Sequence, residues 1–312
     1  MEESISNLEQ DARDLTFLVN EERGKFAKFF KSFRFYNLII LLVVLAIVTV
    51  SVILLFPLGE TGMGLALAII ITVLVGVIIY SKLMKRYTNK RGNEYMAFYY
   101  KSVSDYVFKD LAIEGYKQDI ANQLTFEDFY DAKILKDITN AGSRNLVTYK
   151  LNNLDVKIAD YAAYRQEGKK NHMVFVGKLM IVDGLKPCNG RLLVYRRPSV
   201  EAIKEAVGPT EVDGLNLVIE DSDLFVYAEN DEAKKYLKKS ALDALRNFTQ
   251  KLPFIDMTLS FINSRLTVAI SYSDQLMVIP LPEPFEVEAT TVLKHNIKDL
   301  HNFLELLYKF II

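Results

Sequence analysis

The sequence predicts a membrane protein in which a two-helix transmembrane hairpin is followed by a cytoplasmic α+β domain with a mostly antiparallel sheet. Two apolar runs, Tyr36–Phe56 and Met63–Ser81, contain no charged residue. Basic residues flank both runs, whereas the short loop between them carries only Glu60. Beyond the second run, strand-like alternation in hairpin order is mixed with separated helix-like segments, a pattern typical of α+β domains.

Each apolar run is long enough to cross a bilayer as a helix. A helix rises ~1.5 Å per residue, so either run can span a hydrocarbon core ~30 Å thick. Pro57 ends the first predicted helix, and Gly59 and Gly62 allow a tight reversal into the second. Because neither run contains an ionisable residue, we expect an anchor rather than a channel or transporter. Self-association through the small residues Gly64 and Ala68, which would make the protein a homo-oligomer, is the alternative role of the hairpin.

The basic flanks predict the orientation of the hairpin. Positive residues stay on the cytoplasmic side, so we expect a multi-pass protein of the cell inner (cytoplasmic) membrane with both termini in the cytoplasm. Anionic lipid head groups attract the same basic side chains, so the lipid bilayer is a predicted partner. Because the membrane accounts for this basic cluster, we predict no nucleic-acid partner. The predicted membrane-interface residues are Lys25, Lys28, Lys31 and Arg34 before the first run and Lys82, Lys85 and Arg86 after the second, followed by Lys90 and Arg91.

Composition agrees with a cytoplasmic location for most of the chain. The formal net charge is −1, and Cys188 is the single cysteine, which excludes an internal disulfide and a zinc site built on several thiolates. The stretch Lys25–Lys31 alternates cations with phenylalanines, which suits a helix lying at the lipid interface. The predicted segments are an amphipathic basic N-terminal segment, 1–35, the transmembrane hairpin, 36–81, a basic juxtamembrane linker, 82–92, and the cytoplasmic α+β domain, 93–312.

Periodicity places the elements of the α+β domain. Alternating apolar residues from Asn145 onward predict two strands joined by the turn Asn152-Asn153. Thr125, with Asp128 in the turn that follows, predicts a helix N-terminus. Further predicted strands are Met173–Val182, Arg191–Arg196, Asn216–Ile219, Leu224–Tyr227, Asp256–Ile262 joined through Asn263-Ser264-Arg265 to Leu266–Ser271, and Gln275–Ile279; further predicted helices are Glu94–Ala112, Ser199–Val207, Asp231–Leu252 and Thr290–Ile312.

Two groups of charged residues are the candidates for chemistry in this domain. Glu220 and Asp221 begin an acidic bend, and paired carboxylates can hold a divalent cation or share acid–base duty. The alternative interpretation of this bend is a solvated connection between two strands. Arg191 and Arg196 could bind an anion, and the alternative for them is a solvated strand face.

The sequence lacks the other common signatures of catalysis and cofactor binding. His295 and His301 are too far apart along a helix to share one face as metal ligands, and His172 falls in a charged turn. The glycines form no GxxxxGK[ST], GxGxxG or GxSxG pattern. We therefore predict no metal and no cofactor, and we expect that the protein is not an enzyme.

Short segments spread over residues 93–279 carry a resemblance to a known family. They are Phe175-Val176-Gly177-Lys178-Leu179 and Asp183, Glu220-Asp221 with Phe225-Val226-Tyr227, Asp231-Glu232-Ala233 and Tyr236-Leu237, and Leu259-Ser260-Phe261, Ser264 and Val268-Ala269-Ile270. In this order they resemble the bacterial domain of unknown function family 3137, which is often found as membrane-anchored proteins. The resemblance implies two N-terminal spans before a cytoplasmic domain, and it implies no activity.

Three hypotheses for function follow from these observations. The leading one is a membrane-anchored, non-enzymatic protein whose cytoplasmic domain binds a protein partner or senses a ligand at the inner membrane face. The second is a membrane-tethered hydrolase whose site is assembled from distant residues. The third is an accessory subunit of a transport or envelope complex.

The acidic bend provides the first test of these hypotheses. We expect that the double variant Glu220→Gln with Asp221→Asn leaves Tm and the cellular phenotype nearly unchanged, because solvated surface changes usually stay within ~0.5 kcal/mol. Thermal unfolding and complementation of a deletion strain measure the two properties. A double variant that folds normally but fails to complement would instead indicate a working acidic site.

Overall fold

The structure is a computed structural model, and it divides the chain into two compact units. Unit 1 comprises Met1–Tyr99 and Ile279–Phe285, and unit 2 comprises Tyr100–Val278 and Glu286–Ile312. The residues that the structure describes are 2–109, 111, 113–119, 122–168, 170–196, 214–221, 224–236, 242–243, 245–246, 256–271, 285–287, 291, 294–295, 297–302 and 304–305.

Unit 1 is built on two long helices. Helix α1 spans Glu2–Leu55, a 3-10 turn spans Phe56–Leu58, and helix α2 spans Gly59–Phe108, of which the residues from Tyr100 onward belong to unit 2. The chain has no proline or glycine between Lys25 and Phe56, so nothing interrupts the helical hydrogen bonding from the basic segment into the apolar run. The structure thus differs from the expectation of a separate interfacial helix, because that segment is part of α1.

The two helices form an antiparallel hairpin. At the closed end, the backbone of Gly62 packs so tightly on the Leu55 carbonyl oxygen that an added Cβ would lie 1.9 Å from it. Further along, the Tyr80 hydroxyl donates to Asn37 Oδ1 at 3.2 Å. Both α1 and α2 are long and apolar enough to cross a membrane by length and composition. Most of the apolar side chains of the two runs are exposed rather than buried in the protein.

Unit 1 also includes a segment from the far end of the sequence. Asn20 donates from Nδ2 to the Phe285 carbonyl oxygen at 2.9 Å, and its Oδ1 accepts the Phe285 backbone N–H at 2.8 Å. The Phe285 ring meets Tyr99 edge-on, with ring centroids 5.8 Å apart. Leu15 and Val19 are buried on the same helix as Asn20. These contacts give the N-terminal part of α1 a packed apolar face.

The described residues of unit 2 form a seven-stranded antiparallel sheet. Its order is β1-β2-β3-β4-β6-β5, and β7 also pairs with β4. The predicted antiparallel sheet domain after the two apolar helices is therefore confirmed. The strands are β1 (Glu114–Asp119), β2 (Asn140–Leu151), β3 (Leu154–Glu167), β4 (Lys170–Arg196), β5 (Asn216–Asp221), β6 (Leu224–Ala228) and β7 (Asp256–Ser271).

Strands β4 and β7 are each longer than the sequence predicts. The two predicted strands Met173–Val182 and Arg191–Arg196 are parts of one strand, β4. The predicted connection at Asn263-Ser264-Arg265 is wrong, because β7 continues through it and pairs with β4 on both sides. Asn263 has a left-handed φ of 54° and pairs with Cys188, where the register of β4 also shifts. A β-bulge thus takes the place of the expected turn.

Local sequence signals are confirmed at two other positions. Asn152 and Asn153, with φ values of 49° and 68°, form the tight turn between β2 and β3. Thr125 caps helix α3 (Phe126–Tyr130), and the Asp128 side chain accepts the Thr125 backbone N–H in return, which completes a capping box. Strand β1 was not predicted, because its sequence is mostly polar and shows no apolar alternation.

The remaining predicted helices are covered only in part by the described residues. Helix α4 spans Asp231–Lys235 within the predicted Asp231–Leu252, and Asn230 caps it. The described residues of the predicted Thr290–Ile312 helix are helical. The predicted helix Ser199–Val207 and the predicted strand Gln275–Ile279 lie outside the described residues.

The core of unit 2 lies on the sheet. One cluster joins Phe129 of α3 to Tyr161 of β3 and Phe175 of β4, and Phe129 stacks on Tyr161 with ring centroids 5.0 Å apart. The last turns of α2 pack on the sheet as well, where Phe108 contacts Tyr149 with centroids 5.9 Å apart. Aromatic rings bury large apolar areas, so these ring contacts contribute to the stability of the core.

Gly177 lies where β4 and β7 approach each other closely. An added Cβ at Gly177 of β4 would lie 1.9 Å from the carbonyl oxygen of Ile270 of β7, so Gly177→Ala must push the two strands apart. We expect a loss of ~1–3 kcal/mol or more in the free energy of unfolding. Denaturant unfolding of the detergent-solubilised chain measures this loss.

Gly142 in β2 provides the matched control. An added Cβ there meets nothing within 4 Å, so Gly142→Ala should change the free energy of unfolding by less than ~1 kcal/mol. Equal effects of the two substitutions would contradict the steric explanation.

Candidate membrane-interface site

A band of basic side chains borders the apolar parts of α1 and α2. Within Lys25–Arg34 and Lys82–Arg91 the chain carries only positive charges. Long cationic side chains in this position can extend toward lipid head groups while their stems stay on the helix surface. All of the predicted interface residues are exposed: Lys25, Lys28, Lys31, Arg34, Lys82, Lys85 and Arg86, together with Lys90 and Arg91.

Aromatic rings lie between the two helices at the level of this basic band. Phe26 stacks on Tyr95 with ring centroids 4.9 Å apart, and Phe29 meets Tyr87 edge-on at 5.6 Å. The phenylalanines that alternate with the cations of α1 therefore contact α2. This arrangement explains why the segment is amphipathic although it is not a separate helix.

Two of the cations are engaged in ion pairs within their own helix. Lys25 Nζ lies 2.6 Å from Glu22 and 2.9 Å from Glu21, and the hydrogen bond to Glu22, with the one to Glu21, raises the pKa of Lys25 to about 12. Arg91 lies 3.0 Å from Glu94, and its guanidinium lies 5.8 Å from the centre of the Tyr87 ring. These pairs are exposed, so they contribute little to stability.

A groove of about 350 Å³ opens between α1 and α2 beside these ion pairs. Half of its lining side chains are aromatic, and the other half are the ion-paired charged side chains. Tyr95 is 6% exposed, and its hydroxyl is buried without a hydrogen-bond partner among the described residues. The lining residues are Glu22, Lys25, Phe26 and Phe29 of α1 and Arg91, Glu94, Tyr95 and Phe98 of α2.

Two threonine hydroxyls inside the apolar runs bond to their own helices. Thr49 donates to the Leu45 carbonyl oxygen and Thr72 to the Ala68 carbonyl oxygen, both at 2.8 Å. Gly64 is exposed, and an added Cβ there would meet nothing within 4 Å. Ala68 is exposed as well, so self-association through these two residues stays a prediction.

The acidic candidates Glu220 and Asp221 lie at the end of the edge strand β5. Their backbones pair with Phe225 and Leu224 of β6, and their side chains lie outside the described part of the chain. Leu224 pairs on its other side with Arg196 of β4, so the register places Arg196, Leu224 and Asp221 in one row across three strands.

The arginine candidates do not share one face of the sheet. Arg191 and Arg196 both lie in β4, five positions apart, so alternation along the strand sends their side chains to opposite faces. Arg191 donates from Nη2 to the Lys133 carbonyl oxygen at 3.1 Å, and its backbone N–H donates to Glu229 Oε2 at 2.8 Å. The structure thus does not bring the two guanidinium groups together as a single anion site.

An ion pair in the sheet, between Lys178 and Asp160, was not predicted from the sequence. Lys178 of β4 lies directly opposite Asp160 of β3, and its ammonium group pairs with the Asp160 carboxylate. Lys178 is only 5% exposed. It lines a cavity of about 10 Å³ together with Asn145, which accepts a hydrogen bond from Ser104 of α2 at 3.3 Å. The sequence did contain one indication of this pair, because Lys178 is a charged residue within the otherwise apolar predicted strand Met173–Val182.

His301 is the one buried histidine among the three. Its ring lies against Tyr149 of β2, with centroids 6.1 Å apart, and its Nε2 lies 4.0 Å from Glu305. Burial lowers the pKa of His301 and raises the pKa of Tyr149. Across the described residues, no three His, Cys, Asp or Glu side chains form a group that could hold a metal ion.

Comparisons with known proteins give one distant structural likeness. No family model matches the sequence, and no curated protein matches it. A solved structure, the crystal structure of the mycobacterial trehalose monomycolate transport factor A, TtfA, aligns with a TM-score of 0.38 and 11% sequence identity. The alignment covers 67% of this chain and 95% of that chain. At this TM-score the likeness carries no conclusion about function, and the resemblance to family 3137 stays a prediction.

The buried ion pair gives a sharp energetic test. Lys178→Met leaves the Asp160 carboxylate without its cation, so we expect a loss of ~3 kcal/mol in the free energy of unfolding. The double variant Lys178→Met with Asp160→Leu should recover most of this loss, because neither charge of the pair remains.

The exposed pair between Lys150 and Asp155, at 3.4 Å, provides the control. Lys150→Met should change the free energy of unfolding by less than ~1 kcal/mol. A double variant of the buried pair that is no more stable than Lys178→Met would contradict the assigned role of the pair. Denaturant unfolding of the full chain in detergent measures all of these variants.

Proposed function

We propose that this chain is a membrane-anchored, non-enzymatic protein whose cytoplasmic α+β domain binds a protein partner at the inner membrane face. The observation that carries the proposal is the hairpin of α1 and α2. Its apolar side chains are exposed along both runs, and basic residues begin immediately beyond each run. Exposed apolar surface of this extent is stable in lipid and costly in water.

The side chains of the two apolar runs fit a membrane anchor better than a transport path. A path for ions or polar substrates needs polar groups that face a cavity, and Thr49 and Thr72 instead bond to their own helices. The hairpin therefore holds the protein at the bilayer, and anionic head groups are its lipid partners. Both termini and unit 2 lie on the cytoplasmic side, because the basic residues stay inside.

A binding role fits unit 2 better than the hydrolase alternative. His172 lines neither of the two cavities described above. Many charged groups of the sheet pair with one another instead, as in the hydrogen bond from Arg265 Nε to Asp183 Oδ1 at 2.7 Å. An accessory subunit of a transport or envelope complex is a special case of this proposal, in which the partner is itself a membrane protein.

Affinity purification tests the proposed function directly. The tagged full chain is crosslinked in native membranes, solubilised and purified, and the proteins that co-purify are identified by mass spectrometry. A reproducible partner, recovered with the full chain and not with a mock purification, is the expected result. Purification of the chain alone, combined with hydrolytic activity that depends on Glu220 or Asp221, would favour the enzyme instead.

Cysteine labelling tests the orientation. In a Cys188→Ser background, single cysteines are placed at Thr61 in the first turn of α2, at the closed end of the hairpin, and at Asn171 at the start of β4, both of which are exposed. We expect a membrane-impermeant maleimide to label Thr61→Cys on intact cells and to label Asn171→Cys only after lysis. Labelling of Asn171→Cys alone on intact cells would reverse the orientation.

A further inference from the structure

The basic band of unit 1 extends further from the apolar runs than lipid head groups do. Measured along the helices at ~1.5 Å per residue, Lys31, Arg34, Lys82, Lys85 and Arg86 lie within ~8 Å of the end of a run. The head-group layer is ~5–8 Å thick on each side of the hydrocarbon core. These five cations can therefore be neutralised by anionic lipids.

The other four cations lie beyond this layer. Lys28 is ~12 Å and Lys90 ~14 Å from the end of a run, and Lys25 and Arg91 are ~15–17 Å away. A helix tilt of ~20° shortens these depths by less than a tenth. Lys25 and Arg91 have carboxylate partners on their own helices. Lys28 and Lys90 are exposed and have no ion-pair partner among the described residues.

The groove between α1 and α2 lies at the same depth as these outer cations. Phe26 and Phe29 line it from α1, and Arg91 and Tyr95 line it from α2. Lys28 lies one turn from Lys25 on α1, which places it beside the rim of the groove. Lys90 lies one turn from Glu94 on α2 and borders the groove in the same way.

The depth of the groove decides what kind of molecule can fill it. A lipid whose acyl chains remain in the bilayer carries its phosphate ~5–8 Å from the hydrocarbon core, which is short of Phe26 and Tyr95. An aromatic lining of this volume accepts large apolar side chains, as in the recognition of an amphipathic helix by a hydrophobic groove.

We infer that this groove docks an amphipathic helix of the partner protein, with large apolar side chains against Phe26 and Tyr95 and acidic side chains against Lys28 and Lys90. The inference rests on the proposed function, because it names the chemistry of the partner that the proposed function requires. Aromatic anchors inside and unpaired charges at the rim are the arrangement that gives such an interface its affinity and its specificity.

Site-specific photo-crosslinking in native membranes tests the inference. The probe is Phe29→p-benzoylphenylalanine in the full chain, and the matched control is Phe17→p-benzoylphenylalanine, on the same helix at a site that is 72% exposed and outside the groove. We expect an adduct with another protein from the Phe29 probe and not from the Phe17 probe. Mass spectrometry should map the adduct to a helical segment with an apolar face flanked by Asp or Glu.

Charge variants test the role of the rim. Lys28→Gln with Lys90→Gln, combined with the Phe29 probe, should lower the adduct yield about fivefold or more, because two exposed ion pairs are lost. Lys31→Gln with Lys85→Gln makes the same change of charge within the head-group layer and should leave the yield unchanged. All four lysines are exposed, so neither double variant is expected to impair folding.

The outcomes separate this inference from the proposed function. An adduct with lipid alone, an adduct with a second copy of this chain, the absence of any adduct, or equal yields from both charge variants would each overturn the docking groove. If a partner co-purifies with the chain and its recovery is unchanged by Lys28→Gln with Lys90→Gln, the inference fails and the proposed function stands. If no partner co-purifies, the proposed function fails as well.

Discussion

The sheet of unit 2 depends on the pairing of β4 with three other strands. β4 pairs with β3 along its first half, with β6 along its second half, and with β7 along both. A strand of this length does not stay flat, because each strand twists. The register of β4 against β7 shifts near Cys188, and its partner Asn263 has a left-handed backbone conformation. At Gly177 the strands approach so closely that only glycine fits.

The sheet also buries the charged side chain of Lys178. A lysine on a strand that is covered on both faces has no access to water, and the Asp160 carboxylate opposite Lys178 compensates it. The pair favours this register of β3 against β4, since a shift by one residue would leave the buried Lys178 without its partner. His301 shows the other solution to the same problem, because burial favours its neutral form.

Unit 1 presents three environments along one pair of helices. The apolar runs suit hydrocarbon, the inner cations suit a head-group layer, and the aromatic groove with the outer cations lies beyond it. Helical hydrogen bonding continues through all three, because nothing in the sequence of α1 between Lys25 and Phe56 ends a helix. A protein built in this way can hold a partner at a defined distance from the bilayer. Under our proposal, the function depends on this distance from the bilayer and not on a catalytic site in the sheet.

Short-range signals in the sequence were sufficient for the features that depend on neighbouring residues. The two apolar runs, the Asn152-Asn153 turn and the Thr125 cap all follow from hydropathy and backbone preferences, and the structure has each of them. The same kind of signal failed at Asn263, where a residue suited to a turn lies in a bulge instead, because the pairing with β4 outweighs the local preference.

Long-range contacts were out of reach of the sequence because the residues that make them are far apart in the chain. The opposition of Lys178 and Asp160 needs the register of β3 and β4, and the groove needs the register of α1 against α2. Arg191 and Arg196 were close enough in sequence to suggest one site, yet alternation along β4 sends them to opposite faces. Composition thus specifies which side chains prefer lipid, water or a core, and the pairing of distant elements specifies which of them meet.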